Sequence, residues 1–206
     1  MQQNPFSQSS WVSNSPMVSC YTSPRGTTCF KNQFSVQTDP CYKPYIPERN
    51  WAFIDMQNLY KGVQERGWNI NWNPFRNYLL QEFQVTKAVA FMGYIKEFES
   101  LYTRLRKADF HLEFRTVRRL SNGTIDGGNV DADLASYVMD YKNDYSKAII
   151  VADDGDYCRT IMSLNRQNKL KLIISSHAIK NTSQLIKEAV QPHLIKSIHS
   201  IRHLVG

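Results

Sequence analysis

Apolar residues in this chain gather into five short runs: Trp51–Ile54, Val85–Phe91, Leu112–Val117, Ala148–Val151 and Leu170–Ile174. Runs of this length bounded by polar residues read as strands buried on both faces. Between them lie segments with the period of a helix: 58–65, 74–83, 96–107, 130–141 and 157–166. Phe98, Leu101, Tyr102 and Leu105 share one face of the third, and Val130, Leu134, Tyr137, Val138 and Tyr141 one face of the fourth. Strand alternates with helix, and the crossovers are long enough to hold helices, so the pattern predicts an α/β domain with a mostly parallel sheet. A final helical segment is expected from Ser183 through Leu204, striped by Ile186, Val190, Leu194, Ile198 and Ile201 and broken at Pro192.

Residues 1–48 show neither periodicity and are rich in Ser, Gln, Asn, Thr and Pro. They read as a low-complexity, poorly ordered N-terminal tail, leaving 49–206 as the domain. The start of the chain has no basic stretch leading into an apolar one, and no apolar run reaches the ~18 residues of a membrane span. A cytoplasmic protein with no membrane partner is therefore expected. Cys20, Cys29, Cys41 and Cys158 lack the paired spacing of a zinc site or a disulfide framework and read as free thiols. A net charge of +7 favours a polyanionic partner.

In an open α/β sheet the ligand crevice lies at the carboxyl ends of the strands. Three acidic groups fall at that edge: Asp55-Met-Gln-Asn58 after the first run, Asn129-Val-Asp131-Ala-Asp133 at the start of the fourth helix, and Asp153-Asp154-Gly-Asp156 after the fourth run. Helix capping accounts for one carboxylate per helix but leaves two of the three in the last group without a task. Asp131 and Asp133 lie about 160° apart on an ideal helix, so both can hardly serve one ion, and the wheel does not choose between them. Two carboxylates about 5 Å apart at an effective dielectric near 20 repel by roughly 3 kcal/mol, which calls for protonation or a cation. Oxygen donors without histidine suit Mg²⁺ or Mn²⁺ rather than zinc. Caps plus solvated acids remain the competing reading.

A divalent cation among carboxylates serves phosphodiester hydrolysis, since it can activate water and hold a phosphate oxygen. Basic residues on the flanks, Arg115, Arg118, Arg119, Lys142, Arg159, Lys180 and Lys187, are candidates to hold backbone phosphates. Tyr60, Tyr94 and Tyr157 are candidates to stack on unpaired bases. Other chemistries fit poorly: there is no GxxxxGK[ST] loop, no GxSxG elbow, and Gln57 stands where a haloacid-dehalogenase-like phosphatase has its second Asp.

FIDMQN, GGNVDADLASYVMD and KAIIVADDGDY resemble, in order and spacing, the three signature blocks of the NYN domain family (LabA-like, DUF88) in the PIN-like nuclease superfamily. The resemblance spans about residues 50–190. It implies a Rossmann-like, five-stranded sheet in the order 3-2-1-4-5 and a metal site of Asp55, Asp131, Asp154 and Asp156, accompanied by Asn58. It selects Asp131 over Asp133. It further implies a Mg²⁺- or Mn²⁺-dependent ribonuclease, endonucleolytic on single-stranded RNA, with DNA left open as a substrate. Nothing in the pattern opposes a homo-oligomer. Met56 departs from the family's usual Gly, and Ala152-Asp153 from its usual Ser-Gly. A module that keeps the fold and the acidic pocket for RNA or protein binding without hydrolysis is the alternative.

Overall fold

The computed structural model describes residues 18–23, 26–31, 47–121 and 125–206. It divides into two units, Met1–Tyr45 and Ile46–Gly206. Within the first, Val18–Ser23 and Gly26–Lys31 pair as an antiparallel hairpin in which Cys20 stands in register with Cys29. Both segments carry the Thr and aromatic residues that suit strands. Cys41 and the rest of that segment lie outside the described residues.

The second unit runs β1 (Asn50–Asp55), α1 (Met56–Gln64), α2 (Trp72–Phe83), β2 (Val85–Gly93), α3 (Glu99–Lys107), β3 (Phe110–Arg115), α4 (Asp131–Asp140), β4 (Ala148–Val151), α5 (Cys158–Arg166), β5 (Leu170–Ser175), α6 (Gln184–Ala189), β6 (Ile195–Ser197) and α7 (Arg202–Val205). The strands form one sheet in the order 3-2-1-4-5-6, and every neighbouring pair is parallel. Ile54 at the end of β1 is paired with Ala90 of β2 and Val151 of β4.

Successive residues of β1 explain the two layers. Ala52 and Ile54 point to one face and join Leu59, Phe75, Leu79 and Leu105 from α1, α2 and α3. Phe53 points to the other and meets Leu134, Val138, Ile161 and Leu164 from α4 and α5. Alternation by two sends each side chain into a different core, so a central strand must be apolar throughout. All four residues of β4 are buried accordingly.

Two expectations are corrected. β3 begins at Phe110, two residues before Leu112, after a turn in which Asp109 adopts φ 63°. The residues that follow it leave the sheet, and Arg118–Arg119 pair with Ile125–Asp126 as a short antiparallel ribbon. The expected C-terminal helix is instead α6, a 3₁₀ turn with Pro192 in its first turn, β6, a second 3₁₀ turn and α7. Pro192 lacks the N–H that a continuing helix requires, and beyond it the chain meets the free edge of β5. Ile186, Val190, Ile198 and Ile201 are buried even so. Among the described residues no helix is long and apolar enough to cross a membrane.

Candidate active site

β1 and β4 lie side by side, and the helices that follow them, α1 and α5, pack on opposite faces of the sheet. Chain direction therefore opens a crevice at their carboxyl ends. Asp55 is the last residue of β1 and the N-cap of α1, with its Oδ1 accepting a hydrogen bond from the Asn58 amide at 2.9 Å. Its Oδ2 accepts from the hydroxyl of Tyr157, also at 2.9 Å, and the residue is only 6% exposed. Tyr157 is itself buried.

Asp131 opens α4, where its amide is held by Asn129 Oδ1 at 2.8 Å, and it is half-buried. Its carboxylate bears on the same Tyr157 hydroxyl. Burial pushes the Asp55 carboxyl above the usual carboxylate range against its two hydrogen bonds, and the negative charge of Asp131 adds to the rise. Among the described residues neither Asp55 nor Asp131 has a Lys, Arg or His within ion-pair distance. Asp133, two residues on, is paired with Arg115 at 2.9 Å.

Asp154 and Asp156 are placed differently. Both are exposed, and Asp154 caps the short turn Gly155–Tyr157 by accepting from the Asp156 amide at 3.3 Å. Among the described residues no three acidic, histidine or cysteine side chains are grouped so as to hold a metal ion. The turn after β4 sends Asp154 and Asp156 outward, while the β1 and α4 termini bring Asp55 and Asp131 together.

Asp153 turns inward. It accepts from Ser175 Oγ at 2.7 Å, Ser176 Oγ at 2.9 Å and the His177 amide at 3.0 Å, and its Oδ2 lies 2.8 Å from His177 Nδ1. Burial opposes its charge, but the bonds from Ser175, His177 and Ser176 prevail and hold its carboxyl below the usual range. Ser176 Oγ also lies 2.7 Å from Asn58 Oδ1, so the Asn58 side chain is tethered to Asp153 through one hydroxyl. Asn58 thus touches Asp55 only through its backbone. The polar triplet Ser175-Ser176-His177, which ends β5 and begins the loop after it at the same edge, is the signal that would have revealed this network.

The basic candidates separate by position. Arg159 is exposed in the first turn of α5, and Arg118 and Arg119 sit on the ribbon beyond β3, with Arg119 paired to Glu97. Lys142 lies past the far end of α4, roughly 15 Å of helix from Asp131, and does not flank the acids. Tyr157 is a buried donor to Asp55 and is removed from the candidates for base stacking. Tyr94 is half-exposed and packs on Tyr102 and Phe114, whereas Tyr60 projects from α1.

The NYN domain family model matches residues 50–197, from the first residue of β1 to the last of β6. The chain belongs to the NYN domain family. That family lies within the PIN-like superfamily, and the chain therefore has a nuclease-like fold. No curated protein matches the chain. A solved structure similar to it is that of a protein of unknown function from Vibrio parahaemolyticus, with a TM-score of 0.63 and 20% identity over 76% of this chain and 96% of that one. At that identity the likeness concerns the fold alone. Where the NYN pattern usually has Gly, Met56 is buried at the start of α1.

Proposed function

We propose that this NYN domain is a metal-dependent endoribonuclease that hydrolyses single-stranded RNA, with Mg²⁺ or Mn²⁺ held by Asp55 and Asp131. The observation that carries the proposal is a buried carboxylate, held by the Tyr157 hydroxyl and close enough to Asp131 to feel its charge, with no cationic side chain within ion-pair distance of either acid among the described residues. The donor set fits a hard divalent cation: its atoms are carboxylate oxygens, and positive charge there would offset both influences that raise the Asp55 carboxyl.

When bound, such an ion supplies Lewis acidity at a phosphate oxygen and a more acidic water. The chain supplies the rest. Tyr157 and the Asn58 amide fix the Asp55 carboxylate from two sides, so that it need not reorganise as charge develops. Asp154 and Asp156, on the turn beside the pair, are placed to accept protons or to bind the outer water shell. Arg118 and Arg159 are exposed on opposite flanks and hold the phosphates on either side of the scissile one.

A second reading has its own observation: Asp154 and Asp156 are exposed, and among the described residues no three candidate ligands are grouped around an ion, as expected of a domain that binds RNA without cutting it. Labelled single-stranded RNA incubated with Mn²⁺, Mg²⁺ or EDTA separates the two. Cleavage that requires the metal and disappears in Asp55→Asn and Asp154→Asn supports the nuclease. Binding with no cleavage by the parent protein favours the module, and cleavage indifferent to EDTA and to both variants rejects the mechanism.

A further inference from the structure

Beside the acid pair, on the face of the sheet covered by α1 and α3, lies a cavity of about 750 Å³. Met56, Tyr60, Trp72, Phe98, Arg104 and Asn129 are among its walls. Two of these join it directly to the candidate site. Met56 is the residue after Asp55, and Asn129 holds the amide of Asp131. Tyr60 and Phe98 are 51% and 50% exposed, two aromatic rings open to solvent that line one cavity. Arg104 is exposed and has no acidic partner within ion-pair distance among the described residues.

We infer that this cavity receives an unpaired nucleobase of the RNA strand whose neighbouring phosphate lies at Asp55 and Asp131, with Tyr60 and Phe98 stacking on the base and Arg104 holding the adjoining phosphate. The inference rests on the proposed nuclease reading and adds what that reading lacks, a reason for single-stranded substrate. A base inside a duplex presents only its edge, whereas a concave site with exposed rings accepts the flat face of one that has left the stack. The volume falls within the range that encloses a small ligand. Gln57 and Asn129 on the same wall offer donors and acceptors to the base edge. An apolar peptide would also fill the rings, but it would gain nothing from Arg104 or from continuity with a carboxylate pair.

The test is fluorescence anisotropy in EDTA, where no metal-dependent cleavage interferes, with a fluorescein-labelled oligouridylate and a labelled blunt RNA duplex as probes. Tyr60→Ala and Phe98→Ala are each expected to weaken single-strand binding about tenfold, the scale of one base–aromatic stack, and to leave duplex binding unchanged. Phe98→Tyr keeps a ring and restores affinity, which a merely structural role for Phe98 would not require. Because both side chains are half-exposed, circular dichroism should show unchanged folding. Single-strand affinity within about twofold of the parent in the double alanine variant, with cleavage intact, overturns the base site but leaves the nuclease reading standing. A parent protein that neither binds nor cuts RNA overturns both.

Discussion

Replacing Asp55 by Asn tests the electrostatics of the site without any assumption about substrate. In the metal-free protein the buried carboxylate faces Asp131, and two unit charges about 5 Å apart at an effective dielectric near 20 repel by about 3 kcal/mol. Asp131 is half-exposed, and solvent screening reduces that figure to about half. Asparagine is neutral and keeps one oxygen to cap α1, but its NH2 replaces the oxygen that accepts from Tyr157, so that hydroxyl must turn to accept; with the lost charge assistance this costs about 1 kcal/mol in all, which partly offsets relief from burying a charge. The balance favours the variant by about 1–2 kcal/mol, or an increase of about 3–6 °C in Tm for a domain of this size. Because the folded-state pKa of Asp55 is raised, the cost of its ionised form sets in as pH rises through that value and is relieved as pH falls through it. The Tm advantage of Asp55→Asn in EDTA should accordingly be fully present at neutral pH and shrink as pH falls through the raised folded-state value. Millimolar Mn²⁺ should stabilise the parent and not the variant. Differential scanning fluorimetry reads all of this, and a variant that melts below the parent at neutral pH in EDTA would refute the reasoning.

Three further outcomes are expected. Gly62→Ala should lower stability by about 1–3 kcal/mol in denaturant melts despite a helix-propensity gain of about 1 kcal/mol, because the new Cβ would collide with the Ser176 carbonyl oxygen and meet its carbon at 2.7 Å. Asp153 has a lowered folded-state pKa, so its stabilisation is present above the ordinary carboxylate value and lost as pH falls through the folded one; in Asp153→Asn the acid limb of the stability profile should flatten. That variant should also lose about 10–100-fold in cleavage as the Ser176 tether to Asn58 loosens. Arg159→Ala should weaken RNA binding measured by filter retention and make it less salt-dependent, whereas Lys142→Ala, beyond the far end of α4, should change neither.

The central strands were legible in the sequence because helices cover both of their faces, which leaves continuous apolar runs such as Ala148–Val151. β3 is an edge strand carrying His111, Glu113 and Arg115, and its polar positions concealed where it begins. β6 could not be read from Ile195–Ser197, since three residues have no periodicity and their strand state derives from the β5 edge beside them. At the site, Asp55 stood out because a strand end is a local feature, whereas local pattern left Asp131 and Asp133 equivalent and only the family resemblance selected Asp131. The opposite fates of Asp153 and Asp154 were not legible: one residue of difference in the turn after β4 sends the first toward His177 and the second to solvent. The burial of Tyr157 was hidden for the same reason, because its partner is 102 residues away in the chain.

The closeness of Gly62 to the Ser176 backbone has an evolutionary corollary. A larger residue in the middle of α1 requires Ser176 to retreat, and that same serine carries the hydroxyl between Asp153 and Asn58. Substitutions at 62 and 176 should therefore be epistatic, and a lineage that stiffens this helix would do so at the expense of that hydroxyl bridge unless the loop after β5 changes with it.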